Sequence, residues 1–298
     1  MSQQSSWLTG SVRHNGEHQP QSERIKAKRI GNPETRMTKM PESFSARPTI
    51  SVIIPALNEA DNLPHVLPRI PTWIDEVLLV DGHSKDDTVM VAKRLWPEIR
   101  VVMQEGRGKG AALRSGFAAA TGDIIVMLDA DGSTDPAEIP VFVGALLAGA
   151  DFVKGSRFLQ GGGTADMPLY RKLGNWGFVM AVRVLFGGSY SDLCYGYNAF
   201  WRRVLPHLDL DGDGFEIETI MNVRALCTGC KVAEVPSFEA VRVYGTGRLR
   251  TIPDGWRVLK AIVREWANRR SKTMEQSDAV QNRGVQVGRL SNIGQGED

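Results

Sequence analysis

The chain has 298 residues, of which 42% are hydrophobic and 23% are charged, and its formal net charge at pH 7 is +2. These are ordinary values for a soluble globular protein. The nearly balanced charge excludes the basic composition of proteins that coat nucleic acid, so we expect no nucleic-acid partner. The length allows one large α/β domain or two small ones.

The two ends of the chain differ in composition from the middle. Residues 1–47 are polar and lack periodic apolar positions, which predicts a disordered N-terminal arm. Residues 271–298 have a similar composition, which predicts a disordered C-terminal tail. Residues 48–270 contain no linker-like break, so we expect a single domain there.

Several features predict a cytoplasmic protein. The polar N-terminus lacks the apolar core of a signal peptide, and no run of about 18 apolar residues could span a bilayer. The cysteines, Cys194, Cys227 and Cys230, are too few for a disulfide framework and fit a reducing compartment. We interpret Cys227 and Cys230 as small residues in or near a core, because no second pair completes a zinc site.

Strands and helices alternate through the first half of the domain. Apolar runs predict strands at residues 49–55, 74–80, 100–104, 123–128 and 151–155. Helices are predicted between them, at residues 62–70, 85–96, 109–120 and 136–148. This alternation predicts an α/β fold with a doubly wound, mostly parallel sheet flanked by helices.

Polar side chains follow the predicted strands at the points where the strands end. They are Asn58, Glu59, Asp81, Asp129, Asp131 and Arg157. Ligands of such sheets bind beyond the carboxyl ends of the strands. We therefore expect these side chains to lie in one site.

Asp129 and Asp131 directly follow an apolar strand. Two carboxylates that converge at a strand end suit Mg²⁺ or Mn²⁺, which prefer oxygen ligands. A solvated acidic loop is the alternative. A calcium loop is rejected, because a partial match beginning at Asp209 has Ile220 where a bidentate Glu is needed.

A glycine-rich turn, Gly106–Arg107–Gly108–Lys109–Gly110, leads into the third predicted helix. It lacks the Ser or Thr of a Walker loop and does not fit the dinucleotide-binding pattern. Backbone N–H groups at such a turn can still bind an anion. A plain loop is the alternative.

The order of these motifs resembles the family 2 glycosyltransferases. The motifs are Pro55–Ala56–Leu57–Asn58–Glu59, Asp81 with Ser84 and Asp87–Thr88, Gly108–Lys109–Gly110, and Asp129–Ala130–Asp131. Later motifs are similar to the dolichol- or polyprenyl-phosphate mannosyltransferase branch, namely Gly155–Ser156–Arg157, Ser191–Asp192–Leu193 and Tyr244–Gly245–Thr246–Gly247–Arg248–Leu249. The resemblance covers residues 49–266.

The resemblance implies a GT-A fold and an inverting transferase. The implied donor is a hexose linked to GDP or UDP, and the implied acceptor is a polyprenyl or dolichyl phosphate. Mg²⁺ or Mn²⁺ would be held on the diphosphate by Asp129 and Asp131. The implied partners are therefore a nucleoside-diphosphate sugar and a lipid phosphate.

The resemblance also implies roles for single residues. The substrate-binding residues would be Pro55, Asn58, Glu59, Asp81, Lys109, Asp129 and Arg157, with Pro55, Glu59 and Asp81 around the base and ribose. The catalytic residues would be Asp131, Asp192 and Arg248, with Asp192 on the acceptor side and both Arg157 and Arg248 facing phosphates.

The sequence departs from the family pattern at two places. The usual Ser-Lys-Leu element reads Gly247–Arg248–Leu249, so an Arg supplies the cation with a different geometry. His83 and Lys85 in the nucleotide loop leave the base open. Many polyprenol-linked relatives also have C-terminal membrane helices, and none is predicted here.

The acceptor decides whether a base is needed. A lipid phosphate is already an anion, whereas a hydroxyl acceptor must lose its proton to a carboxylate. Asp192 is the candidate base, and Glu216 and Glu218, on a segment predicted to be extended, are others; Glu218 is also counted as substrate-binding. The alternatives left open are a soluble hydroxyl acceptor, a nucleotide-sugar binding protein without turnover, and a nucleotidyltransferase.

Two apolar segments raise the question of membrane contact. Residues 173–186 are too short to span a bilayer and are interrupted by Arg183, and here we favour peripheral contact with a membrane. In residues 256–266, the apolar residues at helical spacing are Trp256, Leu259, Ile262, Val263 and Trp266. For this basic amphipathic segment we favour packing against the domain.

Overall fold

The computed structural model describes residues 47–165 and 167–291, with side chains described as far as Ser271. The predicted N-terminal arm lies outside the described residues except for Arg47. Residues 292–298 of the predicted tail also lie outside them.

A seven-stranded sheet forms the centre of the fold. Its strands are β1 (Ile50–Ala56), β2 (Glu76–Asp81), β3 (Arg100–Met103), β4 (Ile124–Met127), β5 (Phe152–Ser156), β7 (Asn198–Trp201) and β8 (Val232–Pro236). Across the sheet the order is β3-β2-β1-β4-β7-β5-β8. All neighbouring strands are parallel except β7, which runs antiparallel to β4 and to β5. A separate parallel pair joins β6 (Gly163–Thr164) to β9 (Phe238–Glu239).

Helices cover both faces of the sheet. They are α1 (Leu63–Val66), α2 (Thr88–Leu95), α3 (Lys109–Ala119), α4 (Ile139–Leu147), α5 (Leu169–Phe186), α6 (Leu205–Leu208), α7 (Glu216–Cys227) and α8 (Thr251–Ser291). Short 3₁₀ turns occupy Leu67–Arg69, Pro136–Glu138 and Arg202–Val204.

Successive side chains of the strands pack alternately into two hydrophobic cores, one on each face of the sheet. On one face Val52 and Ile54 pack with residues of α1, α2 and α4, such as Phe142. On the other face Ile53 packs with α3 and α7, for example with Leu113. This division follows from the two-residue period of a strand, which sends successive side chains to opposite faces.

The five strands predicted from the sequence are confirmed as β1 to β5. The helices also lie where they are predicted, but several begin later or break at a proline. Pro64 lies in the first turn of α1 and Pro140 in the first turn of α4. A proline lacks the N–H that a helix interior requires but is accepted in the first turn, which sets these starts.

Strand β7 brings a loop to the carboxyl edge of the sheet. Asn198, its first residue, pairs with Met127 at the end of β4 and with Lys154 in β5. Because β7 is antiparallel, the segment that precedes it lies where the parallel strands end. Residues 191–197 thereby reach the same edge as Asp129 and Asp131.

Helices α5 and α8 lie side by side and run in the same direction. Near their starts Arg171 Nε donates to Thr251 Oγ1 at 3.3 Å, and Arg269 Nη1 donates to the carbonyl of Phe186 at 3.3 Å near the end of α5. Within the described residues, no helix has an apolar stretch long enough to cross a membrane.

Helix α8 continues to Ser291 and so covers most of the segment for which the sequence predicts a disordered tail. Residues 272–291 contain no proline and many good helix formers, which allows a helix begun at Thr251 to continue. The limits of the domain itself stay predictions.

Candidate functional site

A cavity of about 950 Å³ opens at the carboxyl edge of the sheet. Its wall combines residues that follow β1, β2 and β4 with residues of α5 and α8. They include Pro55, Glu59, His83, Asp129, Asp131, Tyr170, Gly174, Thr251 and Val258. Of the polar residues predicted at the strand ends, Glu59, Asp129, Asp131 and Arg157 meet in this cavity, as is typical of ligand sites in α/β folds.

Asp129 lies in a cluster with one cation and a second carboxylate. The Nζ atom of Lys109, at the start of α3, is 2.6 Å from Asp129 Oδ1 and 2.7 Å from Glu218 Oε1. Gly196, in the loop before β7, covers this cluster. A Cβ atom at Gly196 would lie 2.7 Å from Glu218 Oε1, 2.8 Å from Lys109 Nζ and 3.0 Å from Asp129 Oδ2. A larger residue at this position would displace the ends of these three side chains.

The cluster shifts the protonation equilibria of its members. Loss of hydration raises the pKa of Asp129 to about 6; the positive charge of Lys109 opposes this change, and the negative charges of Asp131 and Glu218 add to it. Burial alone would lower the pKa of Lys109, but Asp129 and Glu218 together raise it above its ordinary value. Lys109 therefore carries its positive charge on the floor of the cavity.

Asp129 and Asp131 offer carboxylate oxygens, the ligands that Mg²⁺ and Mn²⁺ prefer. No group of three or more His, Cys, Asp or Glu side chains able to hold a metal occurs in the described part of the chain. Two carboxylates nevertheless fit a divalent ion that keeps waters and takes oxygens from a diphosphate. The ammonium of Lys109, 2.6 Å from Asp129, shows that this position attracts a cation.

Arg242 links Glu59, after β1, to Asp131, after β4, and the sequence analysis missed it. Its Nη2 atom lies 2.6 Å from Glu59 Oε2, and its Nη1 atom lies 3.3 Å from Asp131 Oδ2. Its Nε atom donates to the carbonyl of Tyr244 at 2.6 Å. The segment that carries Arg242 is irregular in sequence, and the one available signal was its position shortly before the motif that contains Arg248.

On the side of β1 and β2, Pro55 and Glu59 line the cavity, as predicted. Asp81 is buried at the end of β2, where its Oδ2 accepts from the N–H of Ser84 at 3.0 Å and its Oδ1 has no partner. Asp81 itself is not part of the cavity wall, whereas His83 is. The free carboxylate oxygen is the acceptor that a base N–H would require.

Asn58 holds two loops together through hydrogen bonds. Its Oδ1 accepts from the backbone N–H of Lys85 at 2.7 Å, and its own N–H donates to Ser84 Oγ at 2.9 Å. Its φ angle of 53° lies in the left-handed region that Asn tolerates. Asn58 thus joins the loops after β1 and β2, and it does not line the cavity as the sequence predicted.

The glycine-rich turn packs against a second loop. The carbonyl of Asp213 accepts from the N–H groups of Gly110 at 2.8 Å and Ala111 at 3.4 Å. A side chain at Gly108 or Gly110 would collide with the backbone oxygen atoms of Asp213 and Gly212. The prediction that this turn offers its N–H groups to an anion is therefore wrong for Gly110 and Ala111. The glycines permit the close approach of two backbones.

Arg157 and Asp192 form a buried ion pair. Arg157 Nε lies 2.7 Å from Asp192 Oδ2, and Arg157 Nη1 lies 3.0 Å from Glu239 Oε2. Burial alone would raise the pKa of Asp192, but hydrogen bonds and charge from Arg157 outweigh it and hold the pKa below its usual value. Asp192 is fully buried and does not line the cavity, so its predicted role as a base stays a prediction without support from this geometry. It orients Arg157, which does line the cavity.

Glu216 and Glu218 lie on a helix, and the prediction of an extended segment is wrong. They occupy the first turn of α7, where the helix dipole favours negative charge. Glu216 Oε1 accepts from the N–H of Gly214 at 3.0 Å. Glu218 lines the cavity through its ion pair with Lys109.

Arg248 lines the cavity, as predicted, and its Nη2 atom donates to the carbonyl of Leu57 at 2.8 Å. Arg171 of α5 lies in the same wall and donates to the carbonyl of Leu249 at 3.4 Å. Arg157, Arg171 and Arg248 therefore place three guanidinium groups in the wall of the cavity.

The acidic loop before α7 binds arginines. Asp211 lies 2.9 Å from Arg224 and 3.1 Å from Arg264, and Asp213 lies 2.5 Å from Arg114. Each of these carboxylates therefore has a protein cation as its partner.

The three cysteines are free thiols. Cys227 is the last residue of α7, and Cys230 follows shortly before β8. This pair stands at the end of a helix, not at a strand-to-helix turn where a thioredoxin-like redox site would need it.

Comparison with known proteins identifies the family. The model of the family described as Glycosyl transferase family 2 matches residues 51–208. Dolichol-phosphate mannosyltransferase of Pyrococcus furiosus is 32% identical over 210 residues, which cover 67% of this chain and 59% of that protein. Polyprenol monophosphomannose synthase of Mycolicibacterium smegmatis is 33% identical over 242 residues, which cover 76% of this chain and 90% of that protein.

Solved structures of glucosyl-3-phosphoglycerate synthase from Mycobacterium tuberculosis are similar in fold. The complex with Mn²⁺, UDP and glucosyl-3-phosphoglycerate has a TM-score of 0.59 and 25% identity, over 74% of this chain and 81% of that one. The complex with phosphoglyceric acid has a TM-score of 0.61 and 26% identity over the same shares. These neighbours are GT-A glycosyltransferases, so the expected fold is confirmed. The chain therefore belongs to glycosyl transferase family 2, and polyprenyl-phosphate mannosyltransferases are among its relatives.

Proposed function

We propose that this protein is an inverting transferase that moves a hexose from a nucleoside-diphosphate sugar, linked to GDP or UDP, to a polyprenyl or dolichyl phosphate. The observation that carries the proposal is the continuity of the cavity. The same cavity contacts Pro55 and Glu59 at the sheet edge, Asp129 and Asp131 below it, and the crevice between α5 and α8. A donor and an acceptor can therefore meet above the two carboxylates.

The donor end suits a nucleotide followed by a diphosphate. Glu59 and the unpaired oxygen of Asp81 lie beside β1 and β2, where hydrogen-bond acceptors for a ribose and a base are needed. Lys109 and Arg242 place positive charge on either side of Asp129 and Asp131. Such preorganised charge stabilises a departing nucleoside diphosphate.

A divalent ion is part of the proposal. Mg²⁺ or Mn²⁺, held by Asp129 and Asp131, would supply Lewis-acid stabilisation of the leaving diphosphate. The related synthase from Mycobacterium tuberculosis has been crystallised with Mn²⁺ or Mg²⁺ together with UDP, which supports this choice.

The acceptor end favours an anion. The carboxylates in the described cavity wall are Glu59, Asp129, Asp131, Glu218, Glu239 and Asp254. Each of them is ion-paired with a Lys or Arg side chain. A carboxylate held by a cation is a poor general base. A phosphate acceptor needs no base, and Arg171 and Arg248 in the cavity wall can provide donors for it.

A soluble hydroxyl acceptor is the second candidate. It is favoured by the solved neighbours, which are described with phosphoglyceric acid and UDP. Such an acceptor would require one of the paired carboxylates to exchange its partner before it could remove a proton. A cytoplasmic location, with the enzyme peripheral on a membrane, accompanies the first candidate.

The decisive experiment combines donor binding with product analysis. A thermal-shift screen of nucleoside-diphosphate hexoses with Mn²⁺ or Mg²⁺ identifies the donor, because a ligand stabilises the folded state according to its concentration over its Kd. The donor, radiolabelled in its sugar, is then incubated with a short-chain polyprenyl phosphate or with soluble hydroxyl acceptors. Label in the organic phase supports the proposal. Transfer to a soluble hydroxyl only, or binding without transfer, contradicts it.

A further inference from the structure

Lys154 is a fully buried lysine within β5. Its Nζ atom donates to the carbonyl of Tyr195 and lies 5.5 Å from the centre of the Tyr195 ring. Loss of hydration lowers the pKa of Lys154, and the negative charges of Asp192 and Glu218 oppose this change. None of the ion pairs among the described residues includes Lys154.

The stability of the fold alone does not favour a lysine at this position. An ammonium group that is taken out of water costs free energy, and a carboxylate that binds it directly would offset part of that cost. An apolar side chain of the same length would avoid the cost altogether. The contact that Lys154 makes with the carbonyl of Tyr195 therefore has to be considered for its effect on the neighbouring site.

Asn198 of β7 lies directly opposite Lys154. Side chains that are directly opposite on neighbouring antiparallel strands point to the same face of the sheet. The Nδ2 atom of Asn198 donates to the carbonyl of Gly196 at 3.4 Å. Lys154 and Asn198 thus bind the carbonyl groups of two successive residues, Tyr195 and Gly196.

Residues 195–197, which we call the cover loop, have further contacts on both sides. The carbonyl of Tyr197 accepts from the N–H of Gly155 at 2.8 Å. The hydroxyl group of Tyr195 lies 2.9 Å from Ser237 Oγ. All three carbonyl groups of the cover loop are therefore hydrogen-bonded to β5 or β7, and Lys154 supplies the charged donor among them.

The cover loop packs over the ionic cluster of the cavity through Gly196. This cluster consists of Lys109, Asp129 and Glu218, and a Cβ atom at Gly196 would lie within 3.0 Å of all three side chains. A displacement of Gly196 therefore changes the space that is left for Lys109 and Asp129. Small displacements at a reacting centre lower the rate of a reaction.

We propose that Lys154 is a positioning residue, which together with Asn198 fixes the cover loop and so sets the position of Gly196 over the ionic cluster. Lys154 is fully buried and does not line the cavity, so it acts through the loop and not by contact with a substrate. Its effect on the rate of transfer rests on the function proposed above. The anchoring of the loop does not depend on that function.

Hydrogen–deuterium exchange of the full chain tests the anchoring without a substrate. Lys154→Met keeps an unbranched side chain and removes the ammonium group. We expect residues 193–198 to exchange about tenfold faster in this variant, because loss of an anchor favours local opening, while α1 and α2 exchange as before. Lys231→Met is the matched control, because it makes the same chemical change at an exposed lysine just before β8.

Asn198→Ala is a second variant for the same test. It removes the other side-chain anchor of the cover loop, so we expect faster exchange in the same residues, 193–198. Circular dichroism checks the fold of all variants, and Asn198→Ala serves alone if Lys154→Met does not fold. Unchanged exchange of these residues in a folded variant would overturn the proposal.

Steady-state kinetics distinguish positioning from stability. The donor found in the thermal-shift screen is used with a short-chain polyprenyl phosphate. In Lys154→Met we expect kcat to fall about tenfold or more and KM for the donor to change by less than about twofold, because the donor-binding groups remain. An unchanged kcat, with a change in stability only, would contradict a positioning role.

A double variant shows whether Lys154 acts through Gly196. Gly196→Ala disturbs the same contact with the ionic cluster, so adding Lys154→Met to it should lower kcat by much less than it does alone. Fully additive losses would mean that Lys154 acts elsewhere. If the unchanged chain transfers to no acceptor while Lys154→Met speeds exchange of the cover loop, the proposed function fails and the anchoring stands.

Discussion

The guanidinium of Arg157 holds the carboxylate of Asp192 through two hydrogen bonds, from Nε to Oδ2 at 2.7 Å and from Nη2 to Oδ1 at 2.9 Å. The carboxylate is fully buried, and the third nitrogen of Arg157 bonds to Glu239. Asp192 thereby fixes the direction of an arginine in the cavity wall without contacting a substrate itself.

We expect Asp192→Asn to lower the free energy of unfolding by about 3–5 kcal/mol, because it leaves a buried guanidinium without its counterion. Denaturation in urea measures this value. Asp213→Asn is the matched control, because its pair with Arg114 is exposed and should contribute at most about 1 kcal/mol. If Asp192 were instead the general base, its variant would lose turnover while the stability stayed unchanged.

The same pair predicts a dependence of stability on pH. The pKa of Asp192 is lower in the folded state than in the unfolded state, where it is about 3.9. The pair therefore stabilises the fold above that pH, and its contribution is lost as the pH falls through the folded-state pKa. Urea denaturation below pH 4 should show a smaller loss of stability for Asp192→Asn than for the unchanged chain.

We expect Asp131→Asn to reduce transfer by about 100-fold or more, because it removes a charged ligand beneath the diphosphate. Treatment with EDTA should have the same effect on the unchanged chain, and Mn²⁺ or Mg²⁺ should reverse it. Asp61→Asn makes the same chemical change at an exposed position and should leave the rate of transfer unchanged. Full activity of the EDTA-treated chain would contradict the proposed metal dependence.

Gly196→Ala tests the close packing over Lys109. The added Cβ would approach the ends of three flexible side chains at 2.7–3.0 Å, so the fold can tolerate it by moving them. We expect little change in Tm but a drop in kcat of about tenfold or more, since small displacements at a reacting centre are costly. At Gly144 the same substitution meets nothing within 4 Å and should leave kcat unchanged.

Gly174→Leu should block the crevice between α5 and α8. A side chain at this position has open space and points along the cavity wall, where it competes with the acceptor. We expect donor binding to persist in a thermal-shift assay while transfer to a polyprenyl phosphate is lost. Gly177→Leu is the control, because Gly177 lies on the same helix, also in open space, but outside the cavity wall. Equal transfer by both variants would place the acceptor elsewhere.

The sheet could be predicted because its strands are short buried runs. Val52, Ile53 and Ile54 are fully buried on both faces of β1, and such apolar runs stand out in a sequence. The donor end followed from the same pattern, since Pro55, Glu59 and Asp129 lie at or shortly after the ends of strands.

The start of α7 could not be predicted in this way. Residues 217–223 are all buried, and Glu218, Thr219 and Asn222 are mixed with apolar residues there, so the helix shows no distinct polar side from which a period of 3.6 could be recognised. Glu216 and Glu218 flank Ile217 and imitate the alternation of a strand. Only the three-dimensional packing against α3 and α8 reveals the helix.

The ion-pair partners of charged residues could also not be predicted from the sequence. Asp192 and Arg157 are 35 positions apart, and the chain between them includes α5. The approach of Gly110 to Gly212 is likewise a contact between distant segments. The residue types at these positions indicated a functional or structural role. They did not show whether the partner of each residue was a ligand or another part of the protein.

The reversed direction of β7 has a consequence for how this enzyme can diverge. The loop that ends at Gly196 enters the sheet at the reacting edge, between strands that also hold Asp129 and Arg157. Grafting residues 157–197 from a relative would therefore replace much of the proposed acceptor end and leave β1, β2 and β4 intact. Chimaeras built at these junctions should keep their nucleotide preference while exchanging the molecule that receives the sugar.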